Sequence, residues 1–138
     1  MAGSSTMPDS STRPFHHVAV AVESIESAAP LFELLTGRSC SPVEEIPDQG
    51  VRVAFVGEVE LLEPTDPEGT VARFLHRNGP GLHHVAFEVP EVAAELERLA
   101  SEGLELVDRT PRRGAGGHQV AFLHPRSTGG VLVELVGG

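Results

Sequence analysis

The sequence predicts an α+β fold: two tandem βαβββ modules whose strands form a single cupped mixed sheet. Three observations carry this. First, His16-His17-Val18-Ala19-Val20-Ala21-Val22 returns as His83-His84-Val85-Ala86-Phe87-Glu88-Val89. Second, each copy leads into a helix-like stretch that ends at a glycine, Gly37 and Gly103. Third, each half then reaches a Val-Ala-Phe strand (Val53-Ala54-Phe55, Val120-Ala121-Phe122) and a closing strand with one glutamate among aliphatics (Val59-Glu60-Leu61-Leu62, Val133-Glu134-Leu135-Val136). A repeat of this length and order marks a duplicated unit.

Taken in order, residues 1–14 are rich in Ser, Thr and Pro and hold no apolar block. They read as a disordered tail rather than a secretory leader. Module one covers residues 15–64. Its first strand, residues 16–22, alternates. Ser24 is placed to cap a helix in which Ile25, Ala28, Ala29, Phe32 and Leu35 share a face and Gly37 supplies the stop. Pro30 lies inside that stretch and is expected to shift its start or kink it. Pro47-Asp48-Gln49-Gly50 is a turn, residues 51–56 a strand, Gly57-Glu58 a tight turn, and residues 59–62 the antiparallel partner. A connection, residues 65–82, carries a short helix capped by Thr70 and stopped by Asn78-Gly79-Pro80-Gly81. Module two covers residues 83–138. It reads as a strand at 83–89, a helix at about 90–101 on Val92, Leu96 and Leu99, a strand at 104–107, a flexible glycine-rich loop at 112–117, and paired strands at 119–123 and 131–135.

Composition bounds the function. The chain has 138 residues, one compact domain, with 40% hydrophobic residues to bury. A net charge of −10 argues against nucleic acid and anionic membrane surfaces as partners. All ten basic residues are arginine, so Schiff-base catalysis by a lysine is excluded. The lone cysteine, Cys40, excludes an internal disulfide and a cysteine zinc site, and reads as inert. No apolar run approaches the roughly 20 residues of a membrane span. A soluble cytoplasmic protein is the expectation.

Alternation selects the inward side chains. His17, Ala19 and Ala21 share one face of the first strand, and His84, Ala86 and Glu88 one face of its repeat. The opposite faces carry Val and Phe, which suit packing under helices. The small alanines leave room, so His17 and His84 are assigned to the concavity, and His16 and His83 are not. Glu60 and Glu134 sit in hydrophobic strands, where a carboxylate needs a compensating partner. Singly, each of the four reads as an ordinary buried or surface group. Together they occupy repeat-equivalent positions, and two His with two Glu suit one divalent ion. His76, His118 and His124 read as surface groups. Gly114-Ala115-Gly116-Gly117 does not match a dinucleotide fingerprint.

With those residues in hand, the chain resembles the vicinal oxygen chelate superfamily and, within it, the methylmalonyl-CoA epimerase family. The likeness runs over residues 15–136. It is carried by Gly81-Leu82-His83-His84-Val85-Ala86-Phe87-Glu88-Val89, by Gln49-Gly50-Val51, by Glu60-Leu61-Leu62-Glu63-Pro64, and most specifically by His124-Pro125-Arg126-Ser127-Thr128-Gly129-Gly130-Val131-Leu132-Val133-Glu134-Leu135. The resemblance implies metal ligation by His17, Glu60, His84 and Glu134, with cobalt favoured and zinc, manganese or nickel also suited. It implies interconversion of the 2R and 2S forms of methylmalonyl-CoA through a metal-stabilised enolate, with Glu134 as catalytic base. It further implies an acyl-CoA as the small-molecule substrate and a homodimer.

Two departures stand out. Epimerases often carry Gln where this chain has Glu60, and the resulting set also resembles that of bacterial glyoxalase I. Some epimerases place a further glutamate on the strand after the Gln-Gly turn. Here that strand reads Val51-Arg52-Val53-Ala54-Phe55, which leaves Glu44 or Glu45 as substitutes. Arg109, Arg112, Arg113 and Arg126 are the candidates for meeting the anionic CoA tail. The alternatives are a glyoxalase I-type lactoylglutathione lyase, a metal-free binding protein of the resistance type, and an iron-dependent ring-cleaving dioxygenase.

Overall fold

The computed structural model describes residues 12–137. Its elements are β1 (Phe15–Ala21), α1 (Ile25–Thr36), β2 (Glu44–Ile46), β3 (Val51–Val56), β4 (Val59–Pro64), α2 (Thr70–Asn78), β5 (Gly81–Glu88), α3 (Val92–Ser101), β6 (Arg112–Arg113), β7 (Gln119–Leu123) and β8 (Val133–Gly137). One eight-stranded sheet runs in the order β2-β3-β4-β1-β5-β8-β7-β6. The order reads as one module followed by its reversed copy. β1 pairs parallel with β4, and β5 parallel with β8. The modules join where β1 meets β5 antiparallel, with His17 opposite Ala86 and Ala19 opposite His84.

The helices account for the outer face. Ser24 caps α1 as expected, its Oγ accepting from the Ser27 N–H at 3.2 Å, and Gly37 ends it at φ +72°, a left-handed stop that glycine adopts without steric cost. Pro30 neither shifts the start nor ends the helix, which runs from Ile25 through it to Thr36. Proline lacks the N–H that would bond back to Glu26, and its ring faces solvent. α1 packs Ile25 and Ala29 on Val22, Ala54, Val56 and Leu61. α3 packs Val92 and Leu96 on Val89, Ala121, Leu123 and Leu135. Burial of Ile25, Val92 or Leu96 contributes about 1.5–3 kcal/mol each, and the single methyl of Ala29 less. The inner face is apolar too, with Ala19, Ala21, Val51, Val53 and Leu62 under Val71 of α2.

Four details correct the sequence reading. Residues 104–107 are not a strand: Leu106 makes a single bridge to Leu123, mirroring the Cys40–Val56 bridge of module one. Leu104 and Leu106 pack beneath α3, which gives the stretch its apolar pattern without a ladder. The outermost strand of module two is instead Arg112–Arg113, inside the stretch read as a glycine-rich loop, and its module-one counterpart is β2. α2 begins at Thr70 with Gly69 as its cap, and α3 starts at Val92 with Glu91 before it. Residues 1–11 of the expected tail lie outside the described residues. Residues 12–14 lie along the sheet, with the Pro14 carbonyl accepting from Glu88 N–H at 2.8 Å and Arg13 paired with Glu95 at 2.9 Å.

Candidate metal centre

Ala19 stands beside Glu60 across the β1–β4 ladder, and Ala86 stands beside Glu134 across β5–β8. Larger residues there would fill the space that the carboxylates need. On the other side of each glutamate is an aromatic: Phe55 is registered with Glu60, and Phe122 with Glu134. The Phe55 ring meets His17 edge-on at 5.5 Å, and Phe122 meets His84 at 5.1 Å. Alanine on one flank and phenylalanine on the other thus hold each His–Glu pair in the same way twice.

The four side chains meet at the module junction. His17, Glu60, His84 and Glu134 are 4–6% exposed, and one donor atom from each lies within 4.8 Å of the others. His17 Nε2 is 3.1 Å from Glu60 Oε1 and 3.2 Å from Glu134 Oε1. His84 Nε2 is 3.3 Å from Glu134 Oε1 and 3.8 Å from Glu60 Oε1. Yet neither Nε2 has a hydrogen-bond partner of good geometry. The nitrogens point at a common centre and not at the oxygens. Donor atoms about 2.1 Å from one ion lie roughly 3.0–3.4 Å apart, and three of the four His–Glu contacts have that spacing, the His84–Glu60 contact at 3.8 Å being wider. A buried set of two imidazoles and two carboxylates with orphaned nitrogens fits a divalent cation.

The electrostatics agree. Burial pushes the Glu134 carboxyl up, but its hydrogen-bond-distance contacts with His17 and His84 outweigh that and leave its pKa at about 2. Burial pushes His17 down, and Glu134 and Glu60 override it, raising the imidazole to about 9. The pocket favours positive charge between its carboxylates.

Two cavities flank the quartet. One, of about 370 Å³, has His84, Glu60 and Glu134 on its wall and Arg73 and Arg112 among its other lining groups. The second, of about 320 Å³, is bounded by His17, Glu60 and Glu134, with Glu44, Phe55 and His118 also on its wall. They are related by the repeat: Glu44 pairs with Val53 as Arg112 pairs with Val120. The duplicated site has therefore diverged to an acid on one side and a base on the other. Glu44 faces inward, alongside the inward Val53, and accepts a hydrogen bond from Gly116 N–H at 3.0 Å. Glu45, one residue on, takes the outward face.

The remaining candidates divide. Arg112 reaches the larger cavity and pairs with Asp108 at 3.3 Å. Arg113 lies at the rim, its carbonyl accepting from Gln49 Nε2 at 3.1 Å. Arg109 is exposed, and Arg126 pairs loosely with Glu105 at 3.7 Å on a turn. Neither lines the two cavities. Arg73, on the exposed face of α2, was missed, because nothing in helical periodicity tells a cavity rim from solvent. His118 is on the surface as expected, and its ring also comes within 6.2 Å of His16. His16 and His83 depart from the alternation reading. Both sit at register shifts of the β1–β5 ladder, where one residue is left over. Such bulges re-aim a side chain. His16 Nδ1 lies 2.7 Å from His17 Nδ1, and His83 Nδ1 lies 2.9 Å from His84 Nδ1.

A curled sheet of paired βαβββ modules with two His and two Glu gathered at their seam is an arrangement fit to hold a divalent ion. The chain matches the glyoxalase/bleomycin resistance protein/dioxygenase superfamily over residues 16–122. It is 37% identical over 125 residues to the mitochondrial methylmalonyl-CoA epimerase of Homo sapiens, covering 87% of this chain and 71% of that protein. The crystal structure of methylmalonyl-CoA epimerase from Mycobacterium tuberculosis superposes with a TM-score of 0.88 at 33% identity, over 96% of this chain and 93% of that one. A methylmalonyl-CoA epimerase in complex with methylmalonyl-CoA and NH4+ gives 0.86 at 30% identity, over 93% and 96%. The chain belongs to the glyoxalase/bleomycin resistance protein/dioxygenase superfamily and, within it, to the methylmalonyl-CoA epimerase family.

Proposed function

We propose that this protein is a metal-dependent epimerase that interconverts the 2R and 2S forms of methylmalonyl-CoA. The convergence of His17, Glu60, His84 and Glu134 on one centre is the observation that carries it. The epimerase relatives and the methylmalonyl-CoA held by a neighbour of the same fold support the substrate. These four residues would hold a divalent ion; the N/O set suits cobalt, zinc, manganese and nickel alike, and the likeness to the epimerase family favours cobalt. When bound, such an ion would supply Lewis acidity that favours the negative charge of an enolate.

The chain's own residues do the rest. Glu134 accepts the C2 proton, whose bonding electrons pass into the thioester carbonyl as the enolate forms. Glu44 delivers a proton to the opposite face of C2, since it is the carboxylate outside the quartet that lines the smaller cavity. Glu134 ends protonated and Glu44 ionised, and exchange with solvent resets both. Arg73 and Arg112 line the larger cavity and offer positive charge to the substrate carboxylate and the CoA phosphates. The reading includes a homodimer, for which the exposed Leu31, Leu34 and Leu35 of α1 supply apolar surface. Sedimentation of the purified protein checks that element.

The test is to incubate the metal-loaded protein in D2O with each epimer separately. Deuterium at C2 with formation of the other epimer is expected from both. No exchange from either would overturn the reading. Glu60, in place of glutamine, favours a second reading as a glyoxalase I. Turnover of a hemithioacetal without exchange of methylmalonyl-CoA would select it.

A further inference from the structure

We propose that His16 and His83 are positioning residues that fix the ring tautomer of His17 and His84. The proposal rests on the metal reading above. Each side of the site repeats the same device. A one-residue register shift in the β1–β5 ladder falls at His16 on one strand and at His83 on the other. Without it, neighbouring residues on a strand point to opposite faces, and these ring pairs would not touch. With it, the rings meet at centroid distances of 5.0 and 5.1 Å, both at 75°, and the Nδ1 atoms approach to 2.7 and 2.9 Å. Two bulges at equivalent places that produce the same contact indicate a built feature.

The polarity of that contact follows from the ligands. A neutral imidazole carries one ring proton. His17 and His84 aim Nε2 at the shared centre, so each must keep its lone pair there and its proton on Nδ1. The Nδ1–H then donates to Nδ1 of the preceding histidine, which must be the acceptor and hold its own proton on Nε2. Phe74 packs edge-on against His83 at 5.0 Å and limits its rotation. Metal-ligating histidines commonly donate their second nitrogen to a carboxylate, carbonyl or water, and loss of that partner costs about 10–100-fold in metal affinity. Here an imidazole takes the partner's place on both sides.

The experiment titrates chelator-stripped protein with Co2+ by calorimetry. His16→Phe and His83→Phe keep a ring and remove the acceptor. Each is expected to weaken Co2+ binding by about 10–100-fold. His16→Asn and His83→Asn place an amide oxygen where Nδ1 stood, and are expected to recover most of the loss. Phe variants that bind Co2+ like wild type, or Asn variants no better than Phe, would overturn the proposal. An independent readout uses the unmodified, Zn2+-loaded protein. Two-bond 1H–15N correlation spectra are expected to show Nδ1–H on His17 and His84 and Nε2–H on His16 and His83. An Nδ1 proton on His16 or His83 would overturn it whatever the variants do. Wild type that takes up neither ion fails at the metal reading itself; wild type that binds normally with insensitive variants fails here alone.

Discussion

Ala19 and Ala86 leave the gaps that Glu60 and Glu134 fill; alternation picked out His17 and His84, and the two glutamates stood out as carboxylates in hydrophobic strands at matching places in the repeat. A face of alanines beside a histidine signals a cavity, where valine would signal packing. The partnership of His16 and His83 was not legible, because alternation turns them away and only a bulge, invisible in composition, brings them back. Glu44 lay between these cases: the choice between it and Glu45 needed the strand register. Glu134→Gln removes the proposed proton acceptor while keeping its shape, so proton exchange is expected to fall by at least about 10²-fold, read as deuterium uptake from D2O. Glu44→Gln makes a different prediction. One epimer is expected to exchange through Glu134 without inverting, and the other not to exchange. Glu45→Gln, outward on the same strand, is expected to behave as wild type. Inversion of both epimers by Glu44→Gln at the normal rate would assign the second proton transfer elsewhere.

At the scale of elements, the cap and stop of α1 were readable because they are single-residue chemistry, whereas Thr70, read as a cap, is the first residue of α2. Ser24 and Gly37 do at α1 what their side chains dictate. Two-residue strands are not readable this way: Arg112–Arg113 is a strand only because β7 lies beside it, while 104–107 has strand composition and one bridge. Pro30 in α1 is the sharpest conflict between local preference and fold. It is exposed and α1 persists around it, so Pro30→Ala is expected to stabilise the protein by about 1–3 kcal/mol in urea denaturation, with no loss of metal binding. α3 offers a pH-dependent counterpart. Glu95, 5% exposed, accepts from Arg98 Nη2 at 2.7 Å and from Arg13 Nε at 2.9 Å. The Arg98 hydrogen bond, with Arg13, overcomes burial and lowers its pKa to about 2. A depressed acid stabilises the fold above its unfolded pKa of about 4.3 and loses that contribution as pH falls toward 2. Glu95→Gln is therefore expected to cost roughly 1–2 kcal/mol at pH 7, with the half-exposed Arg98 limiting the value, and progressively less below about pH 4. Denaturation of both proteins across that range checks it.

For the whole molecule, the repeat made the architecture readable, since two copies of one module with an antiparallel seam can share a single site. What the repeat does not disclose is how the cup closes. The free edges β2 and β6 come together through the Ala115–Gly117 turn, where Gly116 bonds Glu44 and Gln49 bonds the Arg113 carbonyl. Gly114 permits this, because a Cβ there would come within 2.7 Å of Val120 Cγ1. The site therefore spans the seam: each module contributes one histidine and one glutamate, and no single module holds enough ligands for a stable centre. An ion bound there ties module one to module two and binds the folded state alone. Its removal must lower stability by mass action, by about 2.7 kcal/mol for an ion present at one hundred times its dissociation constant. For a chain of this length that corresponds to roughly 10 °C in Tm. Chelation is expected to lower Tm by this order and restored Co2+ to recover it, while Glu60→Ala, which leaves two His and one Glu as ligands, is expected to show a smaller shift with both. A wild-type Tm indifferent to chelator would mean that the β1–β5 ladder and its packing hold the two modules together without an ion.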